Sequence, residues 1–302
     1  MKILLIYNAT DRRCGFVNYG SQTLTALRRA GHDVTLFDGT YAAVYARQQD
    51  PHSVYLGMFP PDVLSYDILH VIWHAMTLNH YAGAPWDALQ GGPLLSWIDG
   101  GPSNASCPFK ASMQIRWGHY PRDPEEHYHV TPLPIPDWVE ALPSPDPAFT
   151  VGATSIRGDG IALLRQVCEA HGWAMNLPDP SAWLSIEDEV RRLARSTVNV
   201  CWYNTPPLWK DRAGAPSTAL ASKRPLLITE DALLGHLADY PDVYHARIWA
   251  GEDISGLPAA LEAIQADWQA GTLRLPSQVL QDLSWTAVAA EFTRVWAEAL
   301  HG

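Results

Sequence analysis

Two apolar runs, residues 2–7 (KILLIY) and 33–37 (DVTLF), bracket an amphipathic segment that closes at Gly31. A strand that is apolar at nearly every position has both faces covered, as in a parallel sheet with helices on either side. Parallel neighbours need a crossover between them, so this start dictates a β-α-β unit and an α/β architecture. The stretch between the first strand and the helix is expected to be a long loop carrying Gly15 and Gly20. Ligands of such sheets bind at the carboxyl ends of the strands, which gives that loop a ligand-facing edge. Its glycines are five apart, so the G-x-G-x-x-G order that brings backbone against a pyrophosphate is absent.

The chain has 302 residues, 47% of them apolar, enough for two domains of ordinary size. Only 18% are charged, which excludes a disordered or coiled-coil chain. The apolar start is too short for a signal-peptide core or a membrane span, so the cytoplasm is the expected compartment. Cys14, Cys107, Cys168 and Cys201 are scattered without a C-x-x-C pair, a pattern of reduced thiols rather than a disulfide framework or zinc site. A formal net charge of −11 disfavours a broad, sequence-independent grip on nucleic-acid phosphates but leaves room for a local basic groove. Thirteen tryptophans and twelve tyrosines supply rings for stacking on sugars or bases, and equally for a core.

Proline marks the division of the chain. Residues 131–148 (TPLPIPDWVEALPSPDPA) contain Pro132, Pro134, Pro136, Pro143, Pro145 and Pro147, a composition that no helix interior or central strand accepts. An N-terminal domain over residues 1–135, a linker over 136–148, a second domain over 149–283 and a closing helix over 284–302 are expected. Residues 67–74 (DILHVIWH) and 93–97 (PLLSW) read as further parallel strands of the first domain. In the second, strands at 149–151, 174–177, 198–203 and 225–229 alternate with helices at about 159–171, 186–195, from Pro216 onward, and at 231–238. Two Rossmann-like α/β domains facing each other across a cleft are the architecture this predicts.

The chemistry-bearing residues concentrate in a few connections. Residues 204–220 (NTPPLWKDRAGAPSTAL) combine the cations Lys210 and Arg212 with Gly214, which permits close backbone approach. Pro216 suits a first helical turn, and Ser217 and Thr218 offer hydroxyls beside its free N–H groups, a setting that favours an anion. The same residues also spell an ordinary capped helix behind a mobile loop. Arg157, before Gly158 and another helix, offers a second anion contact or a solvated surface arginine. Lys223 and Arg224 read as caps of a helix C-terminus. Asp99, at a strand end before Gly100 and Gly101, is suited to orient or deprotonate a hydroxyl, although Asp-Gly is also common in turns. His74 ends the preceding strand on the same edge, with a structural role as its alternative.

Dedicated metal binding is not expected. His70 and His74 are four apart on a strand rather than on an H-E-x-x-H helix, and Glu125, Glu126, His127 and His129 fall in a proline-bounded loop. No D-x-D is present.

In this order the motifs resemble the GT-B glycosyltransferases, in particular the group-1, GT4-like family, over most of the chain. ALRRAGHDVTLF behind the glycine loop is similar to the family's opening, and YDILHVIWH to its D-hydrophobic-hydrophobic-H strand. FTVGATSIRGDGIALLRQV resembles the strand-loop-helix that carries a Gly-Arg pair. STALASKRPLLITED resembles the helix, small-residue turn, proline and buried strand that follow. LSWTAVAAEFTRVWAEAL is similar to the terminal helix that crosses back onto the first domain. The departures are specific: the E-x7-E glutamates fall on Lys210 and Thr218, with Asp211 the neighbouring carboxylate. The arginine after Gly152 is Ala153, leaving Arg157 as the nearest cation, and the histidine beyond residues 93–97 falls near Ile98, beside Asp99.

The resemblance implies metal-independent transfer of a sugar from a nucleotide sugar, with no cofactor and with retention of anomeric configuration. Its site would draw on Asp99, His74 and Asp211 for catalysis. Gly15, Gly20, Arg157, Lys210, Arg212, Gly214, Ser217 and Thr218 would hold the donor. The acceptor is expected to be a glycan or a hydroxylated base in DNA, lined by residues 116–129 (RWGHYPRDPEEHYH). No basic amphipathic helix for a membrane surface is evident. A non-catalytic nucleotide-sugar-binding protein that keeps the fold but has lost both glutamates is the alternative.

Overall fold

The computed structural model describes residues 1–7, 15–48, 58–73, 84, 89, 91–99, 113–117, 128–131, 134–156, 160–179, 184–202, 215–229, 237–246 and 256–301. In chain order these form β1 (Lys2–Tyr7), α1 (Gly15–Arg29), β2 (Asp33–Asp38), α2 (Tyr41–Gln48), a 3-10 turn (Val63–Ser65), β3 (Ile68–Trp73), β4 (Leu94–Asp99), β5 (Met113–Trp117) and β6 (Tyr128–Thr131). There follow β7 (Thr150–Ile156), α3 (Gly160–His171), β8 (Ala174–Asn176), α4 (Ile186–Leu193), β9 (Val198–Trp202), α5 (Ala215–Ala221), β10 (Leu226–Thr229) and β11 (Tyr244–Ala246). The helices α6 (Gly256–Ala270), α7 (Ser277–Leu283) and α8 (Trp285–His301) close the chain.

Two compact units result, one of Met1–Pro132 with Trp285–Gly302, the other of Leu133–Ser284. The first is built on a six-stranded sheet of order β2-β1-β3-β4-β5-β6, every neighbouring pair parallel. Leu4, Ile6, Phe37, Val44, Leu69, Val71 and Leu95 make the core on one face. On the other lies α8, whose residues Trp285, Val288, Ala289, Phe292, Val295 and Trp296 are buried, a helical stripe three and four residues apart. Trp285, Phe292 and Trp296 are fully buried, and each contributes on the order of 3 kcal/mol by leaving water. The last helix thus belongs to the first unit although the whole second unit intervenes in sequence.

The second unit has a five-stranded parallel sheet of order β11-β10-β9-β7-β8. One face packs Val151, Val198, Val200 and Leu227 against α3 and α6, and the other packs Cys201 and Ile228 against α4, α5 and α7.

Four expectations are corrected. Gly15 and Gly20 do not stand in a loop: Gly15 opens α1 and Gly20 lies inside it. Gly20 is buried against the ring of Tyr7, and a Cβ there would overlap the ring carbons. Tight packing of helix on strand outweighs the roughly 1 kcal/mol that glycine costs in a helix interior. The proline-rich stretch is not a free linker: Ile135 and Val139 are buried in the second unit's core, and the Ile135 N–H donates to the Leu283 carbonyl at 2.6 Å. Strands β5, β6 and β11, absent from the sequence reading, complete the two sheets, so His129 lies in a strand rather than a loop. Strand β7 also runs well past the expected residues 149–151. Of the helix expected over 231–238, residues 231–236 lie outside the described residues.

Candidate functional site

In the second unit, β7 lies between β8 and β9. The chain leaves β7 through α3 to reach β8 on one side, then crosses through α4 to β9 on the other. Connections that leave a sheet in opposite directions open a crevice at the strands' carboxyl ends. The register is Val151 to Val198, Gly152 to Asn199, Ala153 to Val200 and Ile156 to Trp202, with an irregularity after Ala153. Residues 157–159 leave β7 for α3, and residues 203–214 leave β9 for α5.

Towards the amino ends of these strands lies a buried polar lattice. Asn199 is fully buried, and its amide donates to Ser222 Oγ at 3.0 Å and to the Leu193 carbonyl at 3.4 Å. A Cβ on Gly152 would strike Ser196 Oγ and Asn199 Oδ1, so this β7 position admits the lattice only as glycine. Asn176 donates to the Arg192 carbonyl at 2.6 Å and to Ser196 Oγ at 3.0 Å. Arg192 Nη2 donates to the Ala153 carbonyl at 2.7 Å, and Nη1 to the Asn176 carbonyl and side-chain oxygen at 2.7 and 3.0 Å. Its other contacts form a fork on Glu189, at 2.8 and 2.6 Å. This arginine is committed to fastening α4 onto β7 and β8.

Ser217 is buried and Thr218 half-buried in the first turn of α5. No acidic residue stands in that turn. Arg157, Lys210, Asp211, Arg212 and Gly214 lie outside the described residues; their chain positions fall in the two connections leaving β7 and β9. Arg224 donates to the carbonyls of Ala194, the residue that closes α4, and of Pro143, both at 2.8 Å; its side chain thus serves α4 and the proline-rich stretch rather than the end of α5, the helix it was expected to cap. Both described cysteines are unpaired and buried. Burial pushes the Cys168 thiol up to about 11 and the Cys201 thiol up to about 12, so neither is a nucleophile at neutral pH.

In the first unit, Asp99 is the last residue of β4, paired in register with Trp73 of β3 and Arg116 of β5. His74 follows Trp73 and lies outside the described residues. The carboxyl edge of the sheet therefore reads Asp38, Tyr7, Trp73, Asp99, Trp117, Thr131 from β2 to β6. Arg116 and Trp117 end β5, and Tyr128 and His129 begin β6; residues 118–127 of the expected acceptor groove lie outside the described residues. Asp99, Gly15 and Gly20 belong to the first unit, Ser217 and Thr218 to the second.

His70 is a core residue, fully buried with Nδ1 3.0 Å from Ser96 Oγ. Among the described residues no group of three or more His, Cys, Asp or Glu is arranged to hold a metal ion, and no helix is long and apolar enough to cross a membrane. The sequence reading did not single out Tyr41 and Tyr45, which stand exposed on α2, two residues beyond the end of β2 at Asp38.

No family model and no curated protein matches this sequence. Solved structures do. Sucrose-phosphate synthase from Thermosynechococcus elongatus superimposes with a TM-score of 0.64 at 14% identity, covering 99% of this chain and 98% of its own. HepE from Anabaena, solved in complex with UDP, gives 0.59 at 12% identity over 99% and 100% of the two chains. An alpha-glucosyltransferase in complex with UDP and a 13-mer DNA gives 0.63 at 11% identity over 98% and 100%. The chain has the GT-B glycosyltransferase fold along its whole length, as the motif order implied.

Proposed function

We propose that this protein is a metal-independent, retaining glycosyltransferase that moves a sugar from a nucleotide sugar to an acceptor hydroxyl. The observation that carries the reading is the adjacency of β7 and β9 at the point where the sheet's connections diverge. Arg157 belongs to one of the two connections that leave it, and Lys210, Arg212 and Gly214 to the other. Ser217 and Thr218 open the helix beyond. Full-length likeness to glycosyltransferases solved with UDP supports a nucleoside diphosphate as the group bound there.

In the proposed reaction the acceptor oxygen forms a bond to the anomeric carbon as the bond from that carbon to the diphosphate oxygen breaks. Negative charge grows on the departing diphosphate, and Arg157, Lys210 and Arg212 stabilise it together with the N–H groups at the start of α5. Asp99, at a strand's carboxyl end, takes the acceptor proton or orients the hydroxyl, and His74, the residue after the Trp73 that pairs with it, is the second candidate for that role. Asp211 holds a sugar hydroxyl in place of the absent glutamates. Of the two glycines expected to hold the donor, Gly20 is taken up by its packing on Tyr7, and Gly15, the first residue of α1, remains the candidate. The acceptor is a glycan or a hydroxylated base in DNA, the latter in line with the DNA-bound neighbour, and the expected compartment is the cytoplasm.

The test is release of nucleoside diphosphate from a panel of nucleotide sugars, with simple glycans and hydroxymethylated DNA as parallel acceptors. Release from one donor that rises with one acceptor supports the enzyme and names both substrates. Tight nucleotide binding without release under every acceptor turns the reading into the non-catalytic binding protein.

A further inference from the structure

Strand β2 forms one margin of the first unit's sheet and pairs only with β1. The bonds at its two ends fix which backbone groups face inward. The Asp33 N–H donates to the Met1 carbonyl at 3.0 Å, and the N–H of Gly39, directly beyond the strand, to the Tyr7 carbonyl at 2.9 Å. In a parallel ladder the N–H and C=O of one residue point to the same side, and the side alternates along the strand. The backbone groups of residues 33, 35 and 37 therefore face β1, and those of Val34 and Leu36 face outward. An outward row of this kind is a template on which a further strand can add.

A side chain from the preceding helix occupies one of these outward groups. Arg28, exposed in the last turn of α1, donates to the Val34 carbonyl from Nε at 3.3 Å and from Nη2 at 2.9 Å. Its guanidinium fills the place from which the N–H of an added strand would approach. Two residues on, the N–H and C=O of half-buried Leu36 meet no partner among the described residues, and Thr35 before it is exposed. The margin is thus closed at one position and open at the next.

We infer that Arg28 is a guard that keeps β2 from pairing edge to edge with the β2 of a second copy of this chain. The open groups select that partner. Directly opposed residues of two antiparallel strands exchange both of their N–H···O=C bonds. Two copies related by a two-fold axis at Leu36 would make that exchange with each other, so the surface is self-complementary. Extending the ladder beyond that single pair requires the Val34 carbonyl of each copy, which Arg28 holds. With the guanidinium in place the pairing stops at Leu36, too short a ladder to hold two proteins together; without it the edge continues. The inference is independent of the glycosyltransferase reading.

The experiment is light scattering on the whole protein as its concentration is raised, with melting curves to confirm that each variant is folded. Arg28→Met keeps the aliphatic stem and removes both donors; its mass is expected to rise about twofold over a range in which that of the wild type stays constant. Arg28→Lys, which keeps a charge at the edge, is expected to behave as wild type. Leu36→Pro added to Arg28→Met removes the outward N–H without touching the ladder to β1, and should abolish the rise. Thr35→Lys added to Arg28→Met, a new charge at an exposed position, should do the same where the proline is not tolerated. Hydrogen exchange on the wild type needs no variant: the Leu36 amide should exchange fast and the Phe37 amide, bonded to β1, slowly. A constant mass for Arg28→Met, association that survives the second substitution, or a slow Leu36 amide in the wild type overturns the inference.

Discussion

Trp296, on the last helix, donates its indole N–H to the hydroxyl of Ser96 on β4 at 3.0 Å. The same hydroxyl is 3.0 Å from Nδ1 of His70 on β3, whose ring packs against Phe292 and Trp296 with centroids 5.7 and 5.4 Å away. One hydroxyl thus joins two strands to α8. Two further polar contacts hold that helix: Trp285 Nε1 donates to Gln22 Oε1 at 2.7 Å, and His32 Nε2 lies 2.8 Å from Thr293 Oγ1. Because Thr293 already donates to the Ala289 carbonyl, Nε2 of His32 carries the proton and Nδ1 faces the Met1 ammonium at 3.5 Å.

Acid should therefore loosen this unit. Burial holds His70 down to about 3, against about 6.5 in an unfolded chain. Between those values the unfolded chain binds a proton that the folded one refuses. The stability is fully present above about pH 6.5 and falls by about 1.4 kcal/mol per pH unit down to about 3. His32, lowered by its own burial and then by the N-terminal charge, acts in the same direction. Urea midpoints should drop from pH 7 to pH 5, and His70→Phe should flatten that slope. An unchanged slope in the variant would place the titration elsewhere.

Gly20→Ala should cost about 1–3 kcal/mol, because the added methyl meets the Tyr7 ring rather than water. Thermal melts of the variant with and without Tyr7→Leu give the check: the second change opens room and should recover part of the loss. A glycine needed only for loop flexibility would show no such coupling.

Arg192→Met should lower stability by about 3 kcal/mol, since Glu189 and the carbonyls of Ala153 and Asn176 lose their partner in a half-buried site. UDP affinity of the folded fraction, measured by calorimetry, should be unchanged. A selective loss of UDP binding would mean that the arginine has a ligand role as well.

What the sequence discloses depends on burial. Strands β1, β3 and β4 are apolar runs because both faces are covered, and their existence is plain from KILLIY, ILHVIW and LLSWID. MQIRW of β5 and YHVT of β6, towards the far edge of the same sheet, lack that pattern, and three-residue β11 is too short to show any. The start of α1 was hidden because glycine is the usual sign of a bend, whereas Gly20 is there for contact with Tyr7. In the same way, proline correctly excluded helix from 134–148 but could not reveal that Ile135 and Val139 are core. The residues proposed to hold the donor are legible as types at suitable spacing, while the exposure of Tyr41 and Tyr45 needed the fold to show that α2 turns its apolar side inward at Val44.

Lys210 supplies the sharpest test of the proposed donor chemistry. In the proposed reaction it faces charge that grows as the diphosphate departs, so its contribution is larger in the transition state than in the bound donor. Lys210→Ala should lower kcat by about a hundredfold with a smaller change in donor KM, and Arg157→Ala should act in the same sense. Lys210→Arg, which keeps the charge but alters its geometry, should recover part of the rate. If the two side chains act on the ligand as proposed, melting temperatures should stay within a degree or two of wild type. Nucleoside diphosphate release at saturating donor is the readout. Equal kcat in the wild type and both alanine variants would remove these cations from the mechanism and leave the start of α5 as the remaining candidate for the diphosphate.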